Sequence, residues 1–244
     1  MTGVSVNGEV INCRLVLFDL DGTLVDKEYR NTALAKTRYN AITRLVGAKA
    51  AQRWAQYSGV DLDTFKVDEN GPLSKAPRKE DVIVATTAIW LNGLNWFEAK
   101  ELAIRAYAAA DVEQNRSFKS RLIHRAQEAL REMRRAGLLL GIATNGSGKM
   151  AREIMALNGV EELFDVFTGA DEVAEGKPEP DMILEACRRA GVDPGEAVYV
   201  GDELVDAIAG KAAGVAGVII VKRGSDISAY TRYVLDSVVY LKAV

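Results

Sequence analysis

Short apolar runs that stop abruptly in polar, glycine-containing sequence restrict this chain more than any other feature. Leu15-Val16-Leu17-Phe18 breaks off into Asp19-Leu20-Asp21-Gly22, and later runs at 138–143, 166–167, 197–200 and 217–221 also end in turn-forming or charged sequence. Such runs bounded by turn residues read as buried strands. Stretches with helical apolar spacing follow them, beginning near Gly148, Pro180, Glu203 and Asp226. Strand and helix in alternation predict a parallel sheet covered by helices, an α/β fold of the doubly wound, Rossmann-like kind.

The rhythm is interrupted once. From Val25 to Asp111 the pattern is almost wholly helical, over 29–46, 48–57, 79–91 and 96–110, with breaks at 61–77 and at Asn92-Gly93. The expected organisation is therefore a discontinuous α/β core, 1–25 with 111–244, and a helical domain inserted at 26–110. Trp54, Trp90 and Trp96 all fall in the insert, and large aromatics there are expected to fill its core or its contact with the main domain.

Composition narrows the function. With 244 residues, 48% of them hydrophobic, the chain can bury a large core, and its net charge of −3 mixes both signs without a basic block. That argues against a nucleic-acid partner. The longest apolar stretches fall well short of the ~18–20 residues that span a bilayer, and the first ten residues lack a basic-then-apolar leader. A cytoplasmic protein without a membrane partner is expected; oligomeric state is left open. Cys13 and Cys187 form no CxxC pair and are expected to be buried, reduced thiols. His124 is the only histidine and falls in a stretch, 117–135, read as helix. Any metal must then be held by oxygen, which suits Mg²⁺.

The chemistry gathers where the runs end. In an extended chain, positions i and i+2 share a face, so Asp19 and Asp21 deliver two carboxylates to one spot. Gly22 lets the chain turn away at the strand exit, where α/β sheets form their ligand crevices. After 138–143 come Thr144, Asn145, Gly146 and Ser147, a hydroxyl and backbone N–H groups at a helix start, a setting that favours an anion, with Thr144 as the candidate phosphate donor. Gly146-Ser147-Gly148-Lys149 imitates part of a nucleotide-binding P-loop but fails it. Ala143 stands at the first glycine position, and Met150 replaces the metal-binding hydroxyl. Lys177, in Gly176-Lys177-Pro178-Glu179-Pro180, sits on a loop stiffened by two prolines. A cation about 4 Å from a carboxylate attacking a phosphate dianion offsets roughly 4 kcal/mol of repulsion at an effective dielectric of 20. After 197–200, Asp202 and Asp206 are one helical turn apart and can face one site.

These four ordered motifs, Asp19-Leu20-Asp21-Gly22-Thr23, Thr144-Asn145-Gly146, Gly176-Lys177-Pro178 and Gly201-Asp202 with Asp206, resemble the haloacid dehalogenase superfamily. The helical insert resembles that family's cap of the phosphoglycolate-phosphatase type. The resemblance implies that Asp19 is the nucleophile forming an aspartyl-phosphate, and that Asp21 is the acid/base for both proton transfers. Thr144, Asn145, Gly146 and Lys177 would bind phosphate, with Lys177 also steadying Asp19. Mg²⁺ would be bound by Asp19, Asp202 and the backbone carbonyl of Asp21, with Asp206 helping through water or orientation. It also implies a choice of reaction: dehalogenase members lack the second Asp and phosphonate-cleaving members carry Ala there, so Asp21 favours phosphate esters. The expected activity is a Mg²⁺-dependent phosphatase of small phosphorylated metabolites. A phosphosugar mutase shares all four motifs and stays open as the alternative. A phospho-accepting receiver domain also gathers Asp, Thr and Lys at strand ends, but its acidic pair is adjacent and it is about half this length, with no large insert.

Overall fold

The computed structural model describes residues 2–76, 78–117, 120–221 and 226–244. The chain divides into two compact units, Met1–Asp26 with Ser120–Val244, and Lys27–Lys119.

The first unit is built on strands. β1 (Gly3–Val6) and β2 (Glu9–Asn12) form an antiparallel hairpin. Its two turn residues, Asn7 and Gly8, have φ of 52° and 89°, the left-handed pair that matches strand twist. Then come β3 (Leu15–Phe18), β4 (Leu139–Thr144), β5 (Val166–Gly169), β6 (Ala197–Gly201), β7 (Gly217–Val221), β8 (Tyr233–Leu235) and β9 (Lys242–Ala243). β9 pairs with β1, completing a small sheet apart from the main one. The main sheet has the order β5-β4-β3-β6-β7-β8, with every pair parallel. Counting its strands from β3, that is the doubly wound order 3-2-1-4-5-6, whose crevice opens where the winding reverses, beside the first strand. β3 is central, and its register pairs Phe18 with Ile142 on one side and Val200 on the other.

The second unit is all helix: α1 (Lys27–Leu45), α2 (Ala48–Ser58), the one-turn α3 (Pro72–Lys75), α4 (Arg78–Trp90) and α5 (Trp96–Ser117). Its core is rich in alanine, which lets helices approach closely around Trp54 and Tyr107. Only Trp54 of the three tryptophans fills that core; Trp90 and Trp96 are exposed. The boundary lies beyond residue 110, because α5 runs on to Ser117.

α6 (Ala126–Arg135), α7 (Gly148–Leu157), α8 (Asp181–Ala190) and α9 (Leu204–Ala213) cover the main sheet. Strand alternation divides the core in two. Val16 and Phe18 pack with residues of α6 and α7, whereas Leu15 and Leu17 pack with residues of α8 and α9. Cys13 and Cys187 are free thiols belonging to opposite clusters, and burial pushes both up to about 11.

Two expected helices differ. The stretch 117–135 is not continuous helix: Val25 bridges Leu122, and Asp26 and Ile123 donate backbone N–H groups to Arg121 and Leu24. Extended pairing thus claims the segment before α6 and leaves His124 in a turn; Phe118 and Lys119 lie outside the described residues. From Asp226 the chain also turns instead of coiling. The Asp226 carboxylate accepts the Ser228 N–H, and the chain continues into β8. None of the described helices is long and apolar enough to cross a membrane.

Candidate active site

Parallel register brings the chemistry together at one edge of the sheet. Asp19 follows β3 directly, and its N–H donates to the Val200 carbonyl at 2.8 Å, which locks the residue beside the end of β6. The chain then turns at once. Gly22 has φ 88°, and its N–H reaches the Val25 carbonyl at 2.9 Å. A Cβ on Gly22 would collide with the Asp202 carboxylate. Glycine is required twice here, for the turn and for the approach of an acid from the end of β6.

Lys177 ties the site together. Its ammonium donates to Asp19 Oδ1 at 2.6 Å, to Asp206 Oδ1 at 2.6 Å and to the Tyr199 hydroxyl at 3.0 Å. Three protons meet three acceptors, so the buried cation is fully satisfied by the protein. Burial disfavours the charge, but Asp19, Tyr199 and Asp206 together hold the lysine well above its ordinary pKa. Burial pushes the Asp19 carboxyl up to about 7, against the opposing pull of Lys177.

Asp206 is equally committed. One oxygen accepts from Lys177 and Tyr199, and the other accepts the backbone N–H groups of Asp202 at 3.1 Å and Glu203 at 2.9 Å. Four donors occupy the four lone-pair positions of a carboxylate. Asp206 therefore orients the Asp202 loop and Lys177, and direct metal ligation by it needs one of these bonds to break. A Cβ on Gly201 would collide with the Asp206 side chain, so the strand end is shaped to admit it.

Oxygen atoms of Asp19, Asp202 and Asp206 lie within 4.8 Å of one another, a donor set of hard oxygens. That chemistry fits a magnesium-like cation and no thiophilic one. The carboxylate of Asp21 stands outside this group, and the family resemblance assigns only its backbone carbonyl to a metal.

At the end of β4, Thr144 is buried and its hydroxyl accepts the Gly146 N–H at 3.2 Å. The Asn145 side chain accepts the Lys177 N–H at 2.8 Å and donates to the Lys177 carbonyl at 3.1 Å. This two-point clamp fixes the backbone that carries the lysine, whose peptide bond to Pro178 is cis. Gly146 likewise spends its N–H on Thr144 and its carbonyl on Ala170. Ser147 caps α7 by accepting the Met150 N–H, and the Gly148 N–H donates to Asp171, so the P-loop look-alike has protein partners where a nucleotide would need donors.

Sequence reasoning missed Tyr199. Its hydroxyl accepts from Lys177 and shares its single proton between the Ala143 carbonyl at 3.0 Å and Asp206 at 3.1 Å. Burial, and after it Asp206, holds the phenol well above its usual range, so it is a neutral donor. A tyrosine inside a strand reads as core. The one available signal was its position two residues before the Gly201-Asp202 strand end, which puts it on the same side as Gly201.

Similarity agrees with this geometry. A family model of haloacid dehalogenase-like hydrolases matches residues 13–214. The plasmid phosphoglycolate phosphatase of Cupriavidus necator is 31% identical over 208 residues, 83% of this chain and 78% of that protein. The pyrophosphatase PpaX of Bacillus velezensis is 29% identical over 218 residues, 88% of each chain. The crystal structure of a predicted phosphoglycolate phosphatase from Haemophilus somnus superposes with a TM-score of 0.64 at 22% identity, covering 93% of this chain and 95% of that one. Four motifs in order at the edge of a doubly wound sheet, and a family match spanning most of the length, place this chain in the haloacid dehalogenase-like hydrolase family.

Proposed function

We propose that the chain is a Mg²⁺-dependent phosphatase of small phosphomonoesters, with Asp19 as nucleophile, Asp21 as acid/base and the helical unit as its cap. The observation that carries this reading is the 2.6 Å contact between the buried Lys177 ammonium and Asp19, beside a cluster of three carboxylates. A structural ion pair needs one acid; this lysine serves two, with a third adjoining.

In the first step one carboxylate oxygen of Asp19 attacks phosphorus. The P–O bond to the substrate breaks, and the leaving oxygen takes the proton of the Asp21 carboxyl. In the second, the Asp21 carboxylate removes a proton from water, whose oxygen attacks phosphorus. The P–O bond to Asp19 breaks, and inorganic phosphate leaves. Lys177 holds the Asp19 carboxylate in one rotamer, and Asp206 and Tyr199 hold Lys177. Thr144 faces the incoming phosphoryl group with its hydroxyl. Asp19, Asp202 and the Asp21 carbonyl would hold Mg²⁺, which when bound neutralises charge on the phosphoryl oxygens. Lys177 has no spare proton, so binding phosphate through it requires exchange of one of its three acceptors.

The test is release of phosphate from para-nitrophenyl phosphate with and without Mg²⁺, by the wild type and by Asp19→Asn. Catalytic, metal-dependent release that the variant lacks supports the reading. A single stoichiometric, long-lived phosphorylation would point to a receiver instead, and conversion of a hexose 1-phosphate to its 6-phosphate without net hydrolysis would favour the mutase.

A further inference from the structure

α5 is apolar on two opposite faces. Ala99, Ala103, Ala106, Tyr107 and Ala110 are buried and point into the helical core. At 100° per residue, Phe97, Ile104, Ala108 and Val112 lie on the opposite side, with Glu101 among them, and all are exposed. Phe97 is 81% exposed, Ile104 50% and Val112 52%, with Trp96 at the head of the helix 41% and Trp90 on neighbouring α4 46%. An outward stripe of this kind on a helix whose inner face is already packed marks an association surface.

We propose that the outward face of α5 is the seat of a second copy of this chain, the two α5 helices packing antiparallel. Three observations select that occupant. The first is charge: Glu98, Glu101 and Arg105 are exposed on and beside the stripe, and none has an ion-pair partner among the described residues. Turned antiparallel about the 102–103 region, Arg105 of each copy meets Glu98 and Glu101 of the other, whereas a parallel pair would set Glu101 against Glu101 and Arg105 against Arg105. The same acids disfavour an anionic lipid surface.

The second observation is size. In the antiparallel register Phe97 falls opposite Ala108 of the other copy, so the largest side chain of the stripe meets the smallest. The third is area. Phe97, Ile104 and Val112 present roughly 300 Å² of mainly apolar surface, which with the flanking charged stems suits the weaker interfaces that bury less than about 1,200 Å² in total. A face that is self-complementary in charge and in size suits a two-fold homodimer.

Mass measured by light scattering on the full chain tests this at about 50 µM, a concentration suited to a micromolar dimer. The expected particle is twice the 26.5 kDa chain. Ile104→Glu should give the single-chain mass with an unchanged circular dichroism spectrum. Arg105→Glu alone, and Glu98→Lys with Glu101→Lys alone, should each weaken the dimer at least about tenfold, and mixing the two should restore it as a heterodimer. A wild type that stays monomeric overturns the proposal, as does a dimer indifferent to Ile104→Glu, or charge-swapped chains that do not recover on mixing. Wild-type monomers that bind vesicles or an unrelated protein through this face would overturn it too.

Discussion

Each unit buries an ion pair together with a tyrosine hydroxyl, and the two clusters differ in charge balance. In the helical unit Arg38 donates to Asp81, Tyr107 donates to the other Asp81 oxygen at 2.9 Å, and Trp54 donates to Tyr107 at 2.8 Å. The Arg38 guanidinium also lies 4.3 Å from the Tyr107 ring centre. One cation faces one anion. In the α/β unit, Lys177 faces Asp19 and Asp206, with Asp202 adjoining. Buried charge that is not matched is costly, so the surplus of carboxylates persists only where something else offsets it. An acid, a cation and a tyrosine therefore make a one-to-one clasp in one unit and a cluster with surplus carboxylates in the other.

The comparison can be broken most forcefully at Asp19. Asp19→Asn removes the nucleophile but keeps the shape, and should lower turnover at least about a thousandfold while the melting temperature changes little. Undiminished turnover would return Asp19 to the status of Asp81. Asp81→Ala tests the other cluster, because it leaves Arg38 buried without its partner. It should cost about 3–5 kcal/mol in denaturant unfolding, with kcat per folded molecule nearly unchanged. A loss confined to kcat would mean that the helical clasp is not structural.

A smaller effect is expected at Tyr199. Tyr199→Phe removes a hydrogen bond to a charged group and should lower kcat about tenfold with KM nearly constant, since the hydroxyl bonds to Lys177, Ala143 and Asp206 and acts through the lysine. Equal changes in kcat and KM would argue for a direct substrate contact. Smaller still is a pH effect with a defined sign. The folded Asp19 carboxyl is raised from 3.8 to about 7, so its proton stabilises the metal-free protein at low pH and that contribution is lost as pH rises towards 7. Mg²⁺ must displace the same proton. Its stabilising thermal shift should thus be larger at about pH 8 than at about pH 5, and a shift that shrinks with rising pH would contradict Asp19 as a ligand.

The residues that were legible in the sequence are those at strand exits. Asp19, Thr144 and Asp202 each stand where an apolar run gives way to a turn, and Lys177 stands on a loop stiffened by two prolines; polar side chains there have few structural duties to confuse the reading. Tyr199 was hidden because its ring sits in a strand and serves the core, and only its oxygen meets the site. Asn145 and Gly146 were read for phosphate contacts, and the hydrogen bonds that the Asn145 side chain and the Gly146 backbone make to Lys177, Thr144 and Ala170 were not foreseen. Neighbourhood follows from motif order; the partner of each donor does not. The extended pairing of Val25 with Leu122 joins residues nearly a hundred positions apart, which no local periodicity records. The Asn7-Gly8 hairpin is the reverse case, a turn whose two left-handed positions are written in adjacent residues.

The reading of the unbalanced cluster stands or falls on where phosphate is attached during turnover. Wild-type protein mixed with para-nitrophenyl phosphate and Mg²⁺, quenched in acid within the first turnovers and digested, should yield a phosphorylated peptide whose modification maps to Asp19. Asp19→Asn treated identically should yield none. Steady turnover with phosphate found on another residue, or with none found at Asp19 at any quench time, would contradict it.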